Sequence, residues 1–430
     1  MPGIDAAHLV RAERPAATAV LVGLSAMAPL AVDMFLPSMP AMAREFSVST
    51  GLLSLAVTLF IIAFAASQLA WGPISDRFGR RPALLAGLVL FVAGSLLSLV
   101  APSVPVLLAG RILQGLGGGA GPAVANAIVI DVYRRERAIG VLALITLSLA
   151  LAPMVAPVFG GLIQEYATWR LVFAIQAGIG LALAGALFLL IPETNRAPDA
   201  AALDFRRMAA NYRRLAASRA FTTAAVLMGL LFAGQLTFIS TSSFVIVDDL
   251  GASPTVFGVS FGFVAFGIML GATLTRRLSR RWPPGRIVFT AVLGGWLAAL
   301  AMAALAGFGA ASVPAVVVPA FLVLAGNGMA RPAATATALA DFPAFAGLAS
   351  AVLGFSQMTI ASAYSIAFGA LFEPGPRSLA AAMALASSLA LGLFALTRPP
   401  AFALRGHPPG RPAGAAAPTG TPAPPSPPPH

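Results

Sequence analysis

Three charged residues stand inside otherwise apolar stretches of this chain, and each is of a type that can do chemistry there. Asp33 is the only acid well inside the apolar segments of the first half. A carboxylate in hydrocarbon costs roughly 2.5–3.5 kcal/mol on insertion scales. It therefore faces a wet cavity, pairs with a cation, or carries a proton for part of the time. Desolvation favours the neutral form of a carboxylic acid, which is what a proton carrier near neutral pH requires. Asp33 could also attract a cationic substrate, or be a plain interfacial acid where a helix stops at Pro37. Arg111 lies deep in another apolar run, where a permanent cation needs carboxylate, carbonyl or water partners. It either tunes the acid's proton affinity or braces one helix against another. Arg331 is a second deep arginine, with a gating or a structural role.

Positioning these residues falls to membrane helices. The chain is 58% hydrophobic and 10% charged, against about a quarter charged in ordinary soluble domains. About 20 apolar residues cross a bilayer as a helix, and runs of that length recur. We read twelve spans, at 17–38, 51–72, 82–101, 104–129, 138–163 and 169–192, then 219–247, 255–275, 287–308, 312–339, 345–371 and 377–398. The fold class is an all-α membrane protein. Residues 1–16 form an N-terminal segment, 17–192 one six-helix bundle, 193–218 a polar linker, 219–398 a second bundle, and 399–430 a Pro-rich tail expected to be disordered. The first run has no convincing cleavage site and reads as a retained helix.

The net charge of +12 comes entirely from arginine, because the chain has no lysine. These arginines sit between spans rather than on a nucleic-acid-binding face. Arg77, Arg80 and Arg81, then Arg134, Arg135 and Arg137, the linker group, and Arg276, Arg277, Arg280, Arg281 and Arg286 fall in alternate gaps. The other gaps hold Arg44, Arg170 and Arg377. An excess of basic residues marks cytoplasmic loops, so both termini are expected in the cytoplasm of a bacterial inner-membrane protein. There is no cysteine, and His8, His407 and His430 all lie in the tails. Metal sites and thiol chemistry are therefore not expected, and no cofactor is expected beyond a proton as coupling ion.

The halves look like distant repeats. GPISDRFGRRP at 72–82 corresponds to GATLTRRLSRR at 271–281, with Thr275 in the place of Asp76. Repeated halves are a common plan of secondary transporters, with the substrate site between them near mid-membrane. The charges Asp76, Arg77, Arg80 and Arg81 lie at the membrane edge, with Asp131 as an expected ion-pair partner for Arg77 or Arg80. They are expected to latch the halves together when the cavity opens outward and to part when it opens inward. Gly72 and Gly79 would permit tight turns and close packing. The glycines from Gly115 to Gly121 superficially suggest a dinucleotide loop, but they sit mid-span, where small residues let helices approach.

The stretch Gly72-Pro73-Ile74-Ser75-Asp76-Arg77-Phe78-Gly79-Arg80-Arg81 resembles the G-x-x-x-D-R-x-G-R-R signature of the major facilitator superfamily. DMFLPSMP at 33–40 resembles the first-helix motif of its bicyclomycin/chloramphenicol-resistance group of drug:proton antiporters. Arg111-Ile112-Leu113-Gln114-Gly115 resembles R-x-x-Q-G, a motif that the family associates with proton coupling. Pro153, Pro157, Gly160 and Gly161 are similar to the antiporter motif ending G-P-x-x-G-G, with Ala156 in place of its first glycine. The resemblance covers about residues 17 to 398. It implies a major facilitator fold and a proton-coupled exporter, with Asp33 and Arg111 in coupling.

A pocket for apolar drugs should be mostly apolar and aromatic with few polar groups. Candidates are Met34, Gln114, Asn126, Gln235, Phe238, Phe261, Asn327, Gln357 and Tyr364. The expected activity is export of small amphipathic drugs in exchange for protons by alternating access, by a functional monomer in the lipid bilayer. The alternative within the same fold is a symporter or exporter of a narrow-range metabolite. A membrane enzyme would need clustered catalytic groups in the spans, an ATP-driven pump a phosphate-binding loop with its lysine; the sequence has neither. It is expected not to be an enzyme.

Overall fold

In the computed structural model, residues 15–195, 198–199, 205–342 and 346–397 are described. Twelve helical segments among them are long and apolar enough to cross a membrane. They are Pro15–Phe46, Thr50–Phe78, Arg80–Leu99, Val104–Val132, Glu136–Tyr166 and Trp169–Leu190, followed by Arg219–Asp249, Pro254–Leu278, Pro284–Gly307, Val313–Leu339, Gly347–Leu371 and Pro376–Thr397. We number these spans one to twelve. Apolar length makes each a helix, because in hydrocarbon every backbone N–H and C=O must be paired within the segment. Serine hydroxyls cap several starts: Ser49, Ser218, Ser253 and Ser312 accept from the amides of Leu52, Phe221, Val256 and Ala315 at 3.3–3.4 Å.

Three boundaries differ from expectation for identifiable reasons. Span one does not stop at 38: its helix breaks after Asp33, passes through a 3₁₀ turn at Leu36–Ser38 and resumes as Met39–Phe46. Pro37 and Pro40 lack the N–H that would continue the ladder there. Residues 72–81 are not a loop, since span two runs as one helix to Phe78, and Arg80 already begins span three. Gly79 alone makes the corner, at φ +106°, a backbone conformation that only glycine adopts easily. Gly72 lies in continuous helix with open space around its Cα, so it makes no turn. Span five stays helical from Arg135 to Tyr166 through both Pro153 and Pro157.

The two sets of six spans have matching neighbours. Three packs on four, two on four, three on six and one on five; their counterparts nine–ten, eight–ten, nine–twelve and seven–eleven repeat the scheme. The main contacts between the sets are five with eight and two with eleven, which the same repeat exchanges. Outward-facing Val89, Phe188, Leu189 and Leu297 are exposed, as lipid-facing side chains are in a membrane protein. The linker contributes an amphipathic helix, Phe205–Ala217, whose Leu215 is buried with residues of spans seven and nine to twelve. Arg196 and Asp204, like the N-terminal segment and the tail from 398 onward, lie outside the described residues.

Candidate functional site

The break in span one creates the site. Where a helix ends, carbonyls lose their intrahelical partners. Met34 N bonds Leu30 O at 3.1 Å and Phe35 N bonds Val32 O at 3.2 Å, leaving the Ala31 carbonyl free of backbone donors. Arg111 Nη1 donates to it at 3.2 Å, and so does Gln176 Nε2 at 3.2 Å. Arg111 also donates from Nε to Ala56 O at 3.2 Å and from Nη1 to Gln114 Oε1 at 2.8 Å. Gln114 Nε2 donates in turn to Ser95 Oγ at 2.7 Å and Gln176 Oε1 at 2.8 Å. The Arg111 guanidinium lies 4.7 Å from the Phe35 ring centroid and 4.4 Å from that of Phe60, within cation–π range. Arg111, Gln114 and Ser95 are fully buried. One cation thus ties spans one, two, three, four and six together.

Asp33 is buried at the last residue of the first helical stretch, with no hydrogen bond or ion pair among the described residues. Arg111 and Asp33 are not in salt-bridge contact; carbonyl groups and Gln114 are the arginine's partners. Two residues past Asp33 the chain reaches Phe35, whose ring packs on Phe173 at 5.7 Å. The Leu36–Ser38 turn that follows touches spans seven and eight of the other half. An acid without a partner therefore stands beside the place where span one crosses to the opposite bundle.

The halves meet on the face away from the arginine-rich gaps. A Cβ on Gly161 would collide with the backbone of Pro254 and Thr255, one on Gly258 with Pro157, and one on Gly262 with Met154. Spans five and eight are thus in backbone contact over two turns. Gly160 allows the same approach to Met34 of span one. On the same face Ser54 Oγ donates to Ser240 O at 3.1 Å, and Arg44 forms an ion pair with Asp248 across the halves. Phe238 stacks on Phe261 at 5.7 Å, and Phe257 lies 5.8 Å from Phe261. On the arginine-rich side the halves part, and a cavity of about 660 Å³ opens between spans two, four and eleven. Gln68, Gly72, Asp76, Asn126 and Ala351 are among its walls. A further recess of about 680 Å³ separates the arginine-rich ends of spans one and five.

The partners that the membrane-edge charges Arg80 and Arg81 find lie within the first half and its C-terminal extension. Arg80 pairs with Asp76 and, from Nε, with Asp131 at 3.2 Å. Arg81 Nη2 donates to Phe188 O at 2.6 Å. Arg77 lies against the Phe78 ring and pairs with no acid among the described residues. Glu193, read in sequence only as a linker charge, accepts from the amides of Arg80 at 2.9 Å and Arg81 at 3.1 Å. It caps the start of span three and packs over Gly79, where a Cβ would lie 2.9 Å from the Glu193 Cδ and displace the cap.

Of the proposed substrate contacts, Asn126 lines the cavity. Gln114 belongs to the buried network instead, and Met34 packs with Ala156 and Val172. Asn327 braces spans ten and seven through Leu231 O at 2.9 Å, and Tyr364 braces eleven to twelve through Ala382 O at 2.7 Å. Phe238 and Phe261 are buried under the closed face, and Gln357 is buried in span eleven. Gln235 is buried with its amide oxygen unpartnered. Residues missed were Ser95 and Gln176, lone polar groups in apolar spans, and Gly258 and Gly262, whose four-residue spacing marks a helix contact. Arg44 and Asp248 carried no local signal.

A second repeat correspondence also emerges. Residues 111–131 of span four align with 321–341 of span ten without a gap, matching Gly118 with Gly328, Pro122 with Pro332, Ala123 with Ala333 and Asp131 with Asp341. Arg331 falls opposite Gly121 in this register.

Comparison with known proteins agrees with this architecture. The chain is 31% identical to the uncharacterized MFS-type transporter YdgK of Bacillus subtilis strain 168 over 82% of its length and 88% of the relative's. It is 29% identical to multidrug resistance protein D of Escherichia coli K12, covering 79% and 84%. It is also 29% identical to a bicyclomycin resistance protein homolog of Haemophilus influenzae, covering 78% and 84%. Its fold matches a crystal structure of a D-xylose-proton symporter at TM-score 0.70 and 16% identity, over 87% of this chain and 96% of that one. A peptide transporter in complex with sulfate matches at 0.71 and 16%, over 89% and 94%. Residues 21–367 match the family description of the Major Facilitator Superfamily. With that match and the repeated six-span halves, the chain belongs to the Major Facilitator Superfamily.

Proposed function

We propose that this protein exports small amphipathic drugs in exchange for protons, by alternating access between its two six-span halves. The observation that carries the reading is the pairing of one-sided closure with a buried, unpartnered acid at the crossing point of span one. Relatives named for multidrug and bicyclomycin resistance support drugs as the cargo. The arginine-rich face is the cytoplasmic one, by the excess of basic residues there, and both termini lie on it in a bacterial inner membrane. The present state is then open to the cytoplasm and closed outside. The protein acts as a monomer, with the proton as its coupling ion and no enzymatic step.

Drug enters the cytoplasmic cavity through the gap between spans two, four and eleven. When the outer face opens, a proton from outside loads Asp33 and displaces the drug outward. Return to the present state releases the proton inward. Coupling requires that drug and proton bind the two states with different affinity. The Leu36–Ser38 turn offers the link, because it follows Asp33 closely and touches spans seven and eight in the present state, a contact that opening of the outer face would break. Arg111 holds the break in place and sets the charge that Asp33 senses. Asp76, Arg77, Arg80, Arg81 and Asp131 act as a cytoplasmic latch across the halves when that face closes. Here, with that face open, the partners of Arg80 and Arg81 lie in the first half and its C-terminal extension.

The test is ethidium and chloramphenicol efflux from energised cells, with and without a protonophore, alongside Asp33→Asn. Protonophore-sensitive efflux that the variant loses by tenfold or more is expected. Efflux that survives in Asp33→Asn moves proton carriage to another group, and no efflux of either drug favours a narrower metabolite transporter.

A further inference from the structure

We infer that Arg331 is an anion-binding site in the transport cavity, so that the cargo includes molecules joining a carboxylate or similar oxyanion to an aromatic body. This deepens the export reading and rests on it in one respect, that the space between the halves is the transport route.

Among the described residues the membrane interior holds one acid, Asp33, and two cations, Arg111 and Arg331. The cations are treated differently. Arg111 is fully buried, donates to two carbonyls and Gln114, and lies against two rings. Arg331 has no hydrogen bond and no ion pair among the described residues; its guanidinium lies 6.0 Å from the Phe232 ring, at the edge of cation–π range. It is partly exposed rather than buried.

Arg331 of span ten sits at the seam with span seven, beside Phe232. Spans seven and ten pack together, and Asn327 joins them one turn from Arg331. Their back is covered by nine and twelve, which pack on each other and are tied by the Trp296 Nε1 to Ser388 Oγ bond at 2.9 Å. Open space at the seven–ten seam is therefore on the front, where the halves part. Arg331 lies on the arginine-rich side of Asn327 along span ten, the side on which the halves part.

The repeat shows what the arginine replaces. Its counterpart Gly121 packs against the backbone of Leu24 in span one, so closely that a Cβ would collide. The first half uses this position for helix packing, whereas the second places a guanidinium there. A permanent cation in an apolar wall, with no protein acceptor among the described residues, matches a planar oxyanion that can take two donors at once. The Phe232 ring beside it offers an apolar surface for the rest of such a molecule.

The experiment uses the purified full chain in phosphatidylcholine nanodiscs and two probes of equal shape, naphthalene-2-carboxylate and naphthalene-2-carboxamide, with binding measured by calorimetry. The expected result is a preference for the carboxylate of about tenfold or more. Arg331→Gln should remove that preference and leave amide binding within about twofold, while Arg331→Lys keeps the preference at several-fold lower affinity. Equal binding of both probes to the native protein, an equal loss of both in Arg331→Gln, or a preference that survives in Arg331→Gln would each overturn the site. If the glutamine variant is not recovered folded, the lysine variant decides, and an unchanged carboxylate affinity there counts against the site. Ethidium efflux in cells tests the drug reading separately. Carboxylate preference without drug efflux would keep the anion site and discard drugs as cargo, and the converse would do the reverse.

Discussion

A charge in an apolar span is the easiest residue to find in a sequence and the hardest to assign a partner. Arg111 shows both sides. Its depth requires acceptors, yet these are a carbonyl freed by the break after Asp33, a carbonyl of span two and a glutamine three residues on. Gln176 completes the set by bonding Ala31 O and receiving Gln114. Gln176→Leu fits the space but removes a donor and an acceptor from a buried network, at a cost of about 1–3 kcal/mol. Thermal unfolding of the purified protein in detergent should show a lowered midpoint, and an unchanged midpoint would argue that the network does not hold the bundle. Gln114 and Met34 were read as substrate contacts because residue type shows polarity or bulk, whereas the rotation of the helix decides which wall the side chain joins.

At the scale of helices, the contact of spans five and eight sets which face is closed. Gly161, Gly258 and Gly262 permit backbone approach there, and Pro157 and Met154 supply the surfaces they meet. The motif in span five was legible from its prolines and glycines. Its purpose was not, because the matching glycines lie about a hundred residues away in span eight. Gly258→Val puts a branched side chain into that contact, and overpacking costs roughly 1–3 kcal/mol. The protein should shift toward the outward-open state, with longer distances between spin labels at Tyr166→Cys and Ala252→Cys. The chain has no native cysteine, so only these two positions carry label. An unaltered distance distribution would mean that the five–eight contact does not govern closure.

For the whole molecule, Arg44 and Asp248 form the ion pair found between the halves among the described residues, and it bridges them on the closed face. Both side chains are well exposed, at 63% and 34%, so the pair contributes about 0.2–1 kcal/mol and weakens with salt. Arg44→Ala should therefore shift the open-to-closed ratio by up to about fivefold, not abolish transport. The charge-reversed pair Arg44→Asp with Asp248→Arg should restore the native ratio at low salt. The same spin-label distances report this, and a reversed pair that behaves like Arg44→Ala would remove the ion pair from the gate.

Span number, span position, the repeated halves and the two deep charges of span one and span four could all be read without a structure. Each depends on local quantities: apolar length, the placement of arginine between runs, or a charge where hydrocarbon should be. The continuous helix through Gly72 and Asp76, the capping of span three by Glu193, and the one-sided closure depended on tertiary structure. So did the contrast between Arg111, held by two carbonyls and a glutamine, and Arg331, with no hydrogen bond among the described residues, since the two read alike as arginines in apolar runs. Partners such as Arg44 and Asp248 are brought together by packing of whole bundles, and the free energy that selects them is summed over many distant contacts rather than written at either position.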